Sequence, residues 1–186
     1  MNINQQGYQS QRSAGFTLLE SIVVLVVASV LMAVAVPALS RMLARYQLSA
    51  AQLELIATLQ HARGLAVTSG RPKLLCASSD GRHCAGVTQW ERGWAVGNYR
   101  SGNADQLDGL PALVRAGYQR PTLRITSDRK SIRFQPTGTA GGSAVAFTLC
   151  RQGHAEDALG FTLSNMGRVA SATPKADTAA RCAASN

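Results

Sequence analysis

The chain has 186 residues, with 19 Lys and Arg against 10 Asp and Glu and a formal net charge of +9. Past an apolar N-terminal run its length suits one small domain and excludes two. Four cysteines with no C-x-x-C pair exclude a dithiol redox centre and lack the spacing of a zinc site.

Met1 to Ala14 is polar and holds one base, Arg12. Phe16 to Val36 then holds no base and one acid, Glu20. As a helix this run reaches roughly 31 Å, about one hydrocarbon core. A carboxylate at the centre of a spanning helix costs on the order of 2.5–3.5 kcal/mol, and less near the interface, so Glu20 calls for a partner. A secretory signal is cut after its apolar run; here the processing point precedes it, at Gly15. A cut between Gly15 and Phe16 places a new α-amino group one helical turn from Glu20, a counter-charge from the same chain or a neighbour.

Gly15 followed by Phe16-Thr17-Leu18-Leu19-Glu20 resembles the class III leader of type IV pilins and type II secretion pseudopilins. The resemblance implies that a prepilin peptidase cuts after Gly15 and methylates Phe16, and that Glu20 orders subunit stacking. Pro37 matches the helix-bending proline of these proteins, and its missing N–H predicts a bend or weak point.

After Pro37, Leu39, Leu43, Tyr46, Ala50, Leu53 and Ala57 recur at helical spacing, and Leu55, Leu59, Ala62 and Ala66 widen the stripe. This predicts an amphipathic helix, its apolar face toward a core, ending at Ser69-Gly70-Arg71-Pro72. Short strands are then expected over 73–77, 93–99, 112–118, 122–126, 131–135, 144–150, 160–164 and 168–171, with loops over 102–109 and 138–143. Residues 172–186 read as a small, polar tail that needs a covalent tie to be ordered. The fold class is α+β, a long helix packed on antiparallel strands. The organisation is a leader over 1–15, a membrane or filament-core helix over 16–36, its amphipathic continuation over 37–70, and a β-rich domain over 71–186.

Cys76, Cys84, Cys150 and Cys182 read as two disulfides in an oxidising compartment, with three connectivities open. Cys76–Cys84, spanning an Asp80-Gly81 turn, together with Cys150–Cys182 is preferred.

A finer resemblance, to the GspH/FimT family, rests on Leu59-Gln60-His61-Ala62-Arg63-Gly64, Leu75-Cys76-Ala77-Ser78-Ser79-Asp80-Gly81, Trp90-Glu91-Arg92-Gly93-Trp94, Ile132-Arg133-Phe134-Gln135-Pro136-Thr137-Gly138 and Phe147-Thr148-Leu149-Cys150. It implies a minor pilin or pseudopilin that primes or caps a type IV pilus or type II secretion pseudopilus. Its partners would be the prepilin peptidase, other minor subunits, the major subunit and the inner membrane, which it crosses once with the C-terminal domain periplasmic. Arg41 and Arg45 lie outside the span and Arg12 inside, so the orientation rests on leader and cysteines, not on charge bias.

The alternative is a DNA-binding minor pilin for uptake of double-stranded DNA. Arg12 and Glu20 precede Pro37, which leaves 18 bases and 9 acids after it, a surface suited to polyanions. DNA-binding relatives are implied to carry Gly-Arg-x-Arg; Gly167 and Arg168 match, Ala170 replaces the second Arg, and Lys175 and Arg133 are further candidates. No enzyme, cofactor or metal site is expected: His61, His83 and His154 join no nucleophile motif. Trp90 and Trp94 read as packing residues rather than as a base-stacking platform.

Overall fold

The computed structural model describes residues 17–100, 102, 106–118 and 122–185. Its elements are α1 (Leu18–Ser69), β1 (Lys73–Ala77), β2 (Gly93–Tyr99), β3 (Leu107–Ala116), β4 (Leu123–Ser127), β5 (Ser131–Phe134), β6 (Val145–Arg151), β7 (His154–Leu163), β8 (Val169–Ser171) and α2 (Ala176–Ala184). The chain divides into two units within α1, one ending at Met42 and one running from Leu43 to Asn186.

In the first unit α1 opens on a capping box. The Thr17 hydroxyl accepts the Glu20 N–H at 3.3 Å, with the acid three residues into the helix. The helix passes through Pro37 unbroken. Its serines turn inward on the backbone: Ser29 Oγ donates to the Val26 carbonyl at 2.7 Å and Ser40 Oγ to that of Pro37 at 2.9 Å. A hydroxyl so engaged tolerates apolar surroundings.

In the second unit two four-stranded antiparallel sheets share one core with α1. Sheet A has the order β3-β2-β1-β5 and sheet B the order β4-β6-β7-β8. Strand alternation sends Leu75, Trp94, Val96, Ile132 and Phe134 of the first, and Ile125, Phe147, Leu149 and Phe161 of the second, into that core. Trp90 meets Phe147 edge-on at 5.2 Å and Phe147 stacks on Phe161 at 5.0 Å. Both indoles are fully buried and donate to hydroxyls, Trp90 to Ser127 at 2.8 Å and Trp94 to Thr58 at 3.2 Å. They are packing residues.

The face that α1 buries matches the expected stripe at Leu55, Leu59, Ala62 and Ala66 and departs from it at the other positions. Leu48, Ala51, Leu55, Thr58, Leu59, Ala62 and Ala66 are inside, while Leu43, Tyr46 and Leu53 are 52%, 71% and 66% exposed. Leu39, in the first unit, is exposed as well, as are Ala50 and Ala57. Two apolar stripes of helical period run along this helix. The one with more alanine lies on the sheets because small side chains let the sheets approach closely.

Three elements depart from the sequence-based bounds. β3 begins at Leu107, inside the expected 102–109 loop, and tolerates Pro111 because it is an edge strand. β7 begins at His154 rather than near Gly160, its first half being polar and half-exposed. The tail folds as α2, which buries Ala179, Cys182 and Ala183. Disulfides join Cys76 to Cys84 and Cys150 to Cys182, so α2 is tied to β6.

Candidate functional site

Gly15 and Phe16, and the leader over 1–15, lie outside the described residues. What is described begins at Thr17, and the large apolar side chains of the first unit are exposed among the described residues. Leu25, Leu31 and Val34 are 69%, 64% and 71% exposed, and so are their neighbours on every side of the first unit. The helix is long and apolar enough to cross a membrane by length and composition. Glu20 projects from its first turn, where the helix dipole favours a carboxylate. No cation pairs with it among the described residues, and it is the one acid of this unit.

In the second unit α1 presents another outward stripe, Leu43, Tyr46, Ala50, Leu53 and Ala57, at alternating three- and four-residue steps. Such a seam packs naturally against another helix. The unit also fastens α1 to its sheets by charge. Asp157 on β7, its side chain 7% exposed, accepts from Arg45 Nε at 3.0 Å and Arg151 Nη2 at 3.3 Å. Glu54 is held by Arg115 of β3 through both carboxylate oxygens and by the Tyr118 hydroxyl at 2.5 Å. Burial pushes the Glu54 carboxyl up, but hydrogen bonds from Arg115 and Tyr118 outweigh it and leave it below its ordinary value. Burial, together with that same carboxylate, pushes the Tyr118 phenol well above its usual range.

The residues put forward for DNA contact are not brought together. Arg133 lies on β5 of sheet A with its guanidinium 4.9 Å over the Tyr99 ring. Arg168 sits in the turn before β8, its N–H bonded to Ser164 Oγ at 3.2 Å, and Lys175 lies past the other end of that strand, before α2. Ala170 is on β8 itself, paired with Thr162. Gly167 has a structural reason that sequence does not reveal. Its φ is +76°, and a Cβ there would come within 2.5 Å of the Gly138 carbonyl oxygen. Arg63 of α1 donates to the carbonyls of Gly138 at 2.8 Å and Gly167 at 3.5 Å, stapling a turn from each sheet to the helix.

The histidines take surface roles. His61 is exposed on α1. His83 Nδ1 lies 2.7 Å from Asp80, whose carboxyl is held far below its usual range by the backbone N–H of His83, then that of Arg82, then the His83 ring. His154 Nδ1 lies 2.8 Å from Glu156, and with Asp157 these three could in principle approach one cation. Asp157 is already engaged by two guanidinium groups, whose charge opposes a metal there. Arg63, Glu54 and the Arg45–Asp157 pair escaped the sequence reading because these contacts join residues far apart in the chain.

Residues 51–167 match the family described as type II transport protein GspH, and residues 10–36 match the prokaryotic N-terminal methylation motif. Among solved structures, the type IV minor pilin FimU of Pseudomonas aeruginosa (strain PAO1) is 25% identical over 69% of this chain and 90% of its own, with a TM-score of 0.57. A second crystal form of that pilin gives 23% identity, 67% and 92% coverage and a TM-score of 0.53. The minor pseudopilin EpsH of the Type 2 Secretion System of Vibrio cholerae is 11% identical over 68% of this chain and 96% of its own, with a TM-score of 0.48. No protein of curated function matches the chain in sequence.

Proposed function

The chain belongs to the GspH family of type II transport proteins and has the fold of a minor pilin or pseudopilin, and from that premise we propose that it primes or caps a pilus or pseudopilus. In this reading a prepilin peptidase cuts after Gly15 and methylates Phe16. The helix from Leu18 to Val36 holds the subunit in the inner membrane, with the β-rich domain on the periplasmic side, until it enters the filament. Glu20 then accepts the charged amino terminus of a neighbour, and the disulfides hold the domain in an oxidising compartment.

The observation that carries this reading is the conjunction of an exposed apolar helix with one carboxylate in its first turn that no cation among the described residues pairs with. A plain anchor needs the apolar surface but not the acid; a helix that leaves the bilayer for a stack of like helices uses both. DNA uptake gains no comparable support, because Gly167 is required by the Arg63 staple and the three candidate bases lie on separate elements. The test is the filament fraction sheared from cells, with mass spectrometry of its amino terminus. We expect the chain there, beginning with methylated Phe16, and a Gly15→Glu variant uncut and confined to membranes. A full-length chain in the filament would overturn the reading.

A further inference from the structure

The outer face of sheet A carries a second, smaller core of Leu74, Cys76, Cys84, Ala95 and Leu107, beneath the loop closed by Cys76 and Cys84. Between that loop and β3 lies an open cavity of about 490 Å³. Two features build its walls.

One wall is the loop, fixed in shape. Asp80 accepts the N–H groups of Arg82 at 2.8 Å and His83 at 2.9 Å, and Ser78 Oγ accepts that of Gly81 at 3.0 Å. The Gln106 amide completes the frame, accepting the Cys84 N–H and donating to the Cys84 carbonyl, each at 3.3 Å. The other wall is a bulge. Val96 pairs with Leu113 but Asn98 with Asp108, so residues 109–112 form a bulge opposite Gly97, with the Pro111 backbone close to it. Gly109, with φ +72°, turns the chain out, and Leu110 stands on the bulge 85% exposed.

Among the described residues the charged lining has one sign. Arg82, His83 and Arg100 face the cavity, and among the described residues no carboxylate does. Arg100 pairs with Asp108 at 3.4 Å and His83 with Asp80, while the Arg82 side chain has no hydrogen-bond or ion-pair partner among the described residues. Leu110 and Pro111 add an apolar flank. A lone anion or a nucleic-acid backbone would use the cations and leave Leu110 in water. An acidic side chain beside an apolar one uses both.

We propose that this cavity receives an acidic segment, a carboxylate next to a leucine-like side chain, from a neighbouring subunit of the filament. The proposal rests on the subunit reading above and gives the β-rich domain a means of choosing its neighbour. The pre-shaped loop and bulge lose little freedom on binding, which favours recognition by a small contact. Charge complementarity sets the sign of the partner, and the apolar flank sets its class.

The test uses the full chain in detergent micelles and fluorescence anisotropy with three labelled probes: a serine-rich peptide carrying Leu-Glu pairs, its Leu-Gln counterpart, and a random-sequence DNA duplex. The Leu-Glu peptide should bind about tenfold more tightly than the Leu-Gln peptide, and Arg82→Gln should erase that difference. Leu110→Ser should weaken the Leu-Glu peptide several-fold while leaving the thermal unfolding of the domain unchanged. Equal binding of the two peptides, or binding that survives both substitutions, would overturn the proposal. So would duplex binding that exceeds the peptide's and is lost in Arg82→Gln, since it assigns the cavity to nucleic acid. Filament incorporation is scored separately. A chain that binds the peptide yet never leaves the membrane fraction contradicts the subunit reading alone, and one that incorporates without binding it contradicts the cavity alone.

Discussion

One helix, α1, lives under two regimes. Among the described residues up to Met42 every large apolar side chain is exposed, hydroxyls are folded back on the backbone, and no cation pairs with the one acid. From Leu43 on, one face is buried against two sheets, the one acid, Glu54, is clasped by Arg115 of β3, and Arg45 pairs with Asp157 of β7. The first regime leaves stability to whatever surrounds the helix, a membrane or other helices. The second supplies its own core. A sequence that reads as continuous helix thus has one part whose partners are external and one part whose partners are internal.

The sharpest way to break this comparison is to shave leucines on either side of it. Leu59→Ala should lower the unfolding free energy of the domain by about 2–5 kcal/mol, because Leu59 is fully buried. Leu25→Ala and Leu53→Ala should change it by less than about 0.5 kcal/mol. Denaturant unfolding of the full chain in detergent distinguishes them, and equal losses at Leu53 and Leu59 would mean that the wrong face has been placed inside.

Next in size is the tie on α2. That helix has nine residues and buries only Ala179, Cys182 and Ala183, too little to hold a short helix by packing. Replacing Cys150 and Cys182 together by Ala should cost about 2–4 kcal/mol and abolish hydrogen-exchange protection over α2. Retained protection would show that the helix stands without its tie.

The Arg63 staple comes third. Gly167→Ala should cost about 1–3 kcal/mol, since the residue has positive φ and no room for a Cβ, and Arg63→Ala a similar amount. Their double variant should lose less than the sum, because both act on one contact. Strict additivity would separate the two residues.

The smallest effect is a pH dependence. The folded Glu54 carboxyl lies below its ordinary 4.5, so its clasp contributes fully above that value and is lost as pH falls through the folded one. The carboxylate is 39% exposed, which limits the contribution to under about 1 kcal/mol. Glu54→Gln should flatten this part of the stability profile below pH 4.5 and leave the slope above it unchanged.

Much of this was readable in the chain, and the failures have physical causes. The apolar run and the turn at Gly70 are local signals, and α1 lies where they place it. Which of its two stripes faces the sheets was not local. Leu55, Leu59, Ala62 and Ala66 lie inside as expected, whereas Leu43, Tyr46 and Leu53, large and at the same helical spacing, lie outside. The second half of β3 was expected, but its first half was hidden by Gly109 and Pro111, which an edge strand tolerates. α2 was hidden in an alanine-rich tail, although Ala179, Cys182 and Ala183 have the spacing of one helical face. At the functional level, Glu20 stood out because it is the one acid in an apolar run. Gly167 and Arg168 suggested a polyanion site because the staple that explains Gly167 comes from Arg63 on another element.

The measurement closest to the central claim is the partition of Glu20→Ala between membrane and filament fractions, beside wild type and Glu20→Gln. The account predicts normal cleavage and membrane insertion for both variants, with each absent from the filament because neither can accept the amino terminus of a neighbour. Glu20→Ala found in the filament at the wild-type level would contradict it.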